Sequence, residues 1–230
     1  MRRWGVVISA VYALAVVGVL VPGAVFISGG SDSTSTWSWG RFLRDLGLSY
    51  RSWLLWLPIM MLLAGQVLLL FLSVDTSWRR LKPQRHIAVA CGMAGGFTAL
   101  LAVSAIWSVG FAVVGNDFWH SLFVEGAPAL GFVMMLWLFW GVVFFLYLRN
   151  SSEASTRIVS WLLRGSILEL LIVVPCHIVV RRRHDCCAPM ITSFGIATGI
   201  AVMLLSFGPS VLLLYKKRLD AYGKSGPVTG

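Results

Sequence analysis

Six stretches of this chain are too apolar and too long for an ordinary soluble domain. They run over about 4–27, 53–74, 87–114, 129–148, 158–180 and 190–215. Each is near the roughly 20 residues that an α-helix needs to cross the hydrocarbon core of a bilayer. No water reaches that core, so a spanning segment must satisfy its own backbone N–H and C=O groups, as a helix does. The charge content agrees: 12% of the 230 residues are charged and 58% hydrophobic, against roughly 25% charged in soluble domains. The expected fold is an all-α integral membrane protein, a six-helix transmembrane bundle forming one domain over 1–230. An extracytoplasmic linker at 28–51 and a tail at 216–230 complete it.

The charges are asymmetric. The net charge is +10, and the basic residues cluster at the ends of apolar runs, where they set topology and meet anionic lipid headgroups. No basic stripe lies on a water-soluble element, which argues against a nucleic-acid partner. With six spans and a cytoplasmic N-terminus, the inside carries 13 basic residues: Arg2, Arg3, Arg79, Arg80, Lys82, Arg85, Arg149, Arg157, Arg164, Lys216, Lys217, Arg218 and Lys224. The outside carries six: Arg41, Arg44, Arg51, Arg181, Arg182 and Arg183. The positive-inside rule therefore places both termini in the cytoplasm, and a bacterial inner membrane is the expected location. If 163–180 dipped in and returned, the count would be 12 to 7, so charge alone barely separates a spanning fifth segment from a re-entrant one.

The first apolar run exceeds the roughly 7–15 residues of a signal-peptide core, and no Ala-x-Ala site follows it, so a retained span is expected. Gly18, Pro22 and Gly23 should loosen its outer end. After the linker SGGSDSTST, Trp39, Phe42, Leu43 and Leu46 recur at helical spacing between Arg41, Arg44 and Asp45. That pattern suits an amphipathic helix in the headgroup region or a loop packed on the bundle mouth. Gly92 and Gly96, and again Gly195 and Gly199, are four residues apart, a spacing that lets another helix backbone approach closely. The segments 92–101 and 195–204 carry a faint similarity, which would fit inverted three-helix halves. The fourth run is crowded with aromatics, among them Phe132, Trp137, Trp140 and Phe144, which fill space or line a slot for a chromophore or quinone. Asn150-Ser151-Ser152 is a glycosylation sequon, discounted because the topology places it inside.

Chemistry concentrates in 163–189. Glu169 lies in an apolar helix, and an ionisable group at membrane depth is a functional candidate because burying its charge is costly. Such a carboxyl could sit neutral and carry protons, or pair locally with Arg164 or Ser166. Pro175 removes a backbone hydrogen bond and could leave carbonyls facing a cavity. Cys176 and His177 follow it, and Cys176 should share the helix face of Glu169. His184, Asp185, Cys186 and Cys187 complete the group. A disulfide from Cys176 to Cys186 or Cys187 is the first reading in an oxidising compartment, thiolates and imidazoles together also suit a transition metal or a haem, and redox-active or inert thiols are the other readings. Asp117, His120 and Glu125 would face the same side, whereas Arg181–Arg183 repel an incoming cation.

No HExxH, GxSxG or GxxxxGK[ST] signature is present, which favours a non-enzyme. The leading expectation is transport or ligand binding at a polar site near the outer ends of the third to sixth helices. The alternatives are an anchoring subunit for a membrane-protein partner or homo-oligomer, and a membrane thiol or metal oxidoreductase.

Overall fold

The computed structural model describes residues 2–29, 38–74, 84–115, 127–149, 154–183 and 188–224, and no strand occurs among them. In chain order the elements are α1 (Arg2–Ala15), a π-helical turn (Val16–Leu20), α2 (Val21–Gly29), α3 (Trp39–Arg51), α4 (Trp53–Val74), α5 (Gln84–Val114), α6 (Ala127–Leu148), α7 (Ala154–Arg182) and α8 (Ala188–Lys224). Five stretches are long and apolar enough to cross a bilayer: Val6–Ile27, Ile87–Val114, Gly131–Leu148, Thr156–Arg182 and Ala188–Phe207. A sixth is reached if α3 and the Leu55–Leu69 part of α4, which meet at 68°, count as one broken span. The chain is thus a multi-pass helical membrane protein.

The π turn has a local cause. Pro22 has no N–H, so the Gly18 carbonyl loses its partner one turn back. The preceding residue, Val21, donates to the Val16 carbonyl instead, one residue beyond the α-helical register. The Tyr50 hydroxyl at the end of α3 donates to Val17 O inside this widened turn. The first span also packs into the bundle: Tyr12 is buried and its hydroxyl donates to Ala201 O of α8 at 2.9 Å.

α3 begins at Ser38, whose side chain accepts from Arg41 N. Phe42 meets Phe26 edge-on, and Trp56 of α4 donates its indole N–H to Tyr50 O at 2.8 Å. Trp39, Leu43 and Leu48 point away and are exposed, as suits a helix lying where water meets hydrocarbon.

α5 and α8 are the central helices. α5 packs against α6, α7, α8 and α4; α8 packs against α7, α2, α5 and α4. Phe97, Leu101, Leu148, Ile158, Leu162, Val202 and Leu205 are buried where these helices meet. Gly92 and Gly96 both lie at the α5–α6 crossing, but its tightest contact is at Gly95. A Cβ on Gly95 would lie 2.5 Å from Gly141 N and 2.7 Å from Gly141 Cα, whereas one on Gly92 would meet nothing within 4 Å. The backbones therefore touch at Gly95, with Gly96 under Trp137 and Met61. Gly92 contributes its carbonyl, which accepts the Trp137 indole N–H at 2.8 Å.

α7 is one unbroken helix of 29 residues, about 43 Å at 1.5 Å per residue, longer than the roughly 30 Å hydrocarbon core. The re-entrant alternative for 163–180 does not describe it. Its C-terminal end is tied down: Arg183 Nη1 donates to Ala112 O in the last turn of α5 at 2.7 Å. A small apolar cluster of Phe111, Val180 and Ala188 closes the bundle there.

Candidate functional site

Hydrocarbon on one side and neighbouring helices on the other divide α7 into two faces. Ile158, Val159, Leu162, Ser166, Glu169, Val173, His177 and Val180 are buried; Leu168, Leu171, Ile172 and Pro175 are exposed. Pro175 thus lies on the exposed face. Sequence spacing placed Cys176 on the face of Glu169, but Cys176 is only half-buried and His177 takes the inward position. The inward row advances by four residues from 169 to 173 to 177, the direction of the i±4 ridges that fit between facing helices.

Glu169 lies midway between Thr156 and Arg182, the ends of its span, and is 3% exposed. It does not pair with its neighbours. Arg164 is exposed, and the Ser166 hydroxyl donates to Leu163 O at 2.9 Å. Instead the Ser104 hydroxyl of α5 donates to Glu169 Oε1 at 2.5 Å. Oε2 has no hydrogen-bond partner and lies against Gly199 of α8, where a Cβ would overlap it.

The same seam continues toward the C-terminal end of α7. A Cβ on Gly195 would lie 2.6 Å from Ser104 Oγ, 3.2 Å from Val173 Cγ1 and 3.6 Å from Ser108 Oγ. Gly195 and Gly199 therefore admit the side chains of α5 and α7 rather than a bare backbone. Ser108 is 1% exposed and its Oγ is unpartnered. Beyond it, His177 Nδ1 is 2.7 Å from Thr192 Oγ1, and the Thr192 hydroxyl is 3.0 Å from Ala188 O and 3.2 Å from Pro189 O. With the threonine donating to a carbonyl, the imidazole donates from Nδ1 and Nε2 is left as an acceptor. That Nε2 is buried and has no partner. His177 is eight residues from Glu169, about 12 Å along the helix.

Three unpartnered polar atoms thus lie along one interface of α5, α7 and α8: Glu169 Oε2, Ser108 Oγ and His177 Nε2. Ser104, Ser108 and Thr192 were not singled out from sequence. Their only signal is the four-residue spacing of the two serines, which places both on one face of α5. Gln66 in α4 is a further buried group with both amide atoms unpartnered.

The expected Cys/His centre is divided differently. His184, Asp185, Cys186 and Cys187, like Asp117, His120 and Glu125, lie outside the described residues. Among the described residues no three His, Cys, Asp or Glu side chains gather as a metal site, and Cys91 and Cys176 are free thiols. Neither the disulfide nor the metal reading gains support from Cys176 and His177.

The chain matches no protein-family model, and no curated protein or solved structure proves similar to it.

Proposed function

We propose that this protein binds and moves a proton or a small cation at a carboxyl site held in mid-membrane by α5, α7 and α8. One observation carries the reading: Glu169 is buried at the centre of its span with one oxygen bonded to Ser104 and the other unpartnered. A carboxyl that only served packing would be replaced at lower free energy by an apolar residue, since burying a polar group without full hydrogen bonding costs several kcal/mol, roughly 2–7 by reference state. Ionisable residues inside membranes mark ion pathways and proton relays for this reason. His177 sits nearer the outer end of the same seam, where it fits an entrance position. The site proposed from sequence at the outer boundary thus moves inward from the cysteines to Glu169.

In this reading the bundle has six spans, with α4 (Trp53–Val74) as the second and α3 lying at the interface beside it. Both termini are cytoplasmic, in a bacterial inner membrane, on the strength of 13 basic residues against six. A cysteine introduced at position 34 should then react with an impermeant reagent from outside only; reaction from the cytoplasm alone would reverse the orientation. A second reading, an anchoring subunit, draws on α6. It meets the bundle chiefly through α5 and exposes Met135, Leu138, Phe139 and Leu146, an open face for lipid or a partner helix.

Infrared difference spectroscopy between acid and alkaline buffer tests the leading reading. The wild type should show a protonated-carboxyl band that Glu169→Gln lacks, because the amide keeps the Ser104 bond but cannot titrate. Superimposable difference spectra from the two proteins would overturn it.

A further inference from the structure

We infer that the seam beside Glu169 is a binding site for a small monovalent cation of the sodium class, built from Glu169, Ser104 and Ser108 where their oxygens pack against Gly195 and Gly199 of α8. The inference rests on the proposed ion-handling role of Glu169 and names its substrate class. Glu169 Oε2 faces Gly199, and the hydroxyls of Ser104 and Ser108 both come within 3.6 Å of the space a Cβ on Gly195 would fill. All three groups thus lie against one glycine-bearing stretch of α8. Two of their oxygens, Glu169 Oε2 and Ser108 Oγ, are buried and unpartnered.

The chemistry selects the ligand. Every donor atom offered by these side chains is oxygen, which suits hard cations rather than the soft ions that want sulfur or nitrogen. Ser104 gives its proton to Glu169 Oε1, so its lone pairs are free to coordinate. The site carries one negative charge, which one positive charge neutralises. A divalent ion would leave a net charge buried in low dielectric, at high cost. No competing cation faces the carboxylate: the spans Ile87–Val114 and Ala188–Phe207 contain no charged residue, and on α7 Arg164 is exposed and Arg181 lies three turns away at the outer end. His177, two turns from Glu169, is the nearest other titratable group on that face, and α4 contributes the neutral Gln66. Glycines at 195 and 199 let the oxygens of Ser104 and Glu169 lie directly against α8, where a larger residue would displace them.

Coordination requires the carboxylate ionised, so a proton and the cation compete, and cation affinity falls as pH falls. The experiment uses the full chain in detergent or nanodiscs at alkaline pH, titrated with NaCl against choline chloride at equal ionic strength. Thermal unfolding and radioactive sodium binding are the readouts. Sodium should raise the melting temperature of the wild type above the choline value. Ser108→Ala, whose melting in choline should match the wild type, should bind sodium about tenfold more weakly, the equivalent of about 1.4 kcal/mol. Glu169→Gln should not bind it at all, and acidification should release it from the wild type. Equal effects of sodium and choline on the wild type, or undiminished sodium binding by Ser108→Ala, would overturn the inference. A carboxyl band that still titrates at Glu169 alongside either result would leave the proton reading standing, whereas loss of both would remove the two together.

Discussion

A hydroxyl group decides whether His177 can be buried. Thr192 has no exposure and bonds the imidazole at Nδ1 while returning its own proton to a helix carbonyl. Thr192→Val keeps the volume and removes that partner, so both imidazole nitrogens become buried and unpaired. Leaving a buried donor unsatisfied costs about 1–3 kcal/mol, so thermal unfolding should begin at lower temperature in this variant, while Thr192→Ser should melt like the wild type. Equal stability of all three would mean the bond contributes nothing. These contacts were hidden in the sequence for a plain reason. Serine and threonine in apolar helices routinely bond their own backbone, as Ser206 does to Val202 O and Thr198 to Phe194 O. Ser104 differs only through its contact with Glu169, 65 positions away, and local spacing carries no trace of it. Arg164, close in sequence, pointed to the wrong partner.

Helices touch where side chains are absent, and the register of that absence matters. Gly95 meets the backbone of Gly141, whereas the Cβ position of Gly92 is open. Gly95→Ala should therefore push α5 and α6 apart and destabilise the protein by about 1–3 kcal/mol. Gly92→Ala should be neutral or stabilising by up to about 1 kcal/mol, since alanine is the better helix former. Melting of the two variants side by side checks this, and equal loss would place the crossing elsewhere. The existence of the helices was legible, because continuous apolar runs of this length leave the backbone no alternative in a bilayer. Which glycine faces a neighbour was not, since CGMAGG offers three glycines within five positions and sequence alone gives no rotation about the helix axis. The same ambiguity exchanged Cys176 for His177. The break between α3 and α4 falls at Ser52, where the amphipathic pattern gives way to a continuous apolar run, while the π turn could be read only as loosening near Pro22. α8 also continues past its apolar run, because Ala188–Lys224 stays helical beyond Tyr215.

At the scale of the whole molecule the bundle is organised by polarity as much as by packing. Its two central helices and α7 enclose the seam that holds Glu169, with Arg183 fastening the C-terminal ends of α5 and α7 together. α6 and α3 lie at the periphery, presenting aromatic and aliphatic surface outward. In the proposed reading, the carboxyl at the midpoint of its span, with Ser104, Ser108 and His177 along the same seam, gives an ion a stopping place between the two sides. The molecule should therefore carry ions across a membrane and should need that carboxyl to do so. The most direct measurement is ion flux in proteoliposomes loaded with a pH-sensitive dye, with sodium or a proton gradient imposed across the bilayer. Wild-type protein should dissipate the gradient faster than empty liposomes, and Glu169→Gln, reconstituted at the same density and with unchanged melting, should fall to the empty-liposome rate. Wild-type flux no faster than that of empty liposomes, or equal flux from wild type and Glu169→Gln, would contradict the account.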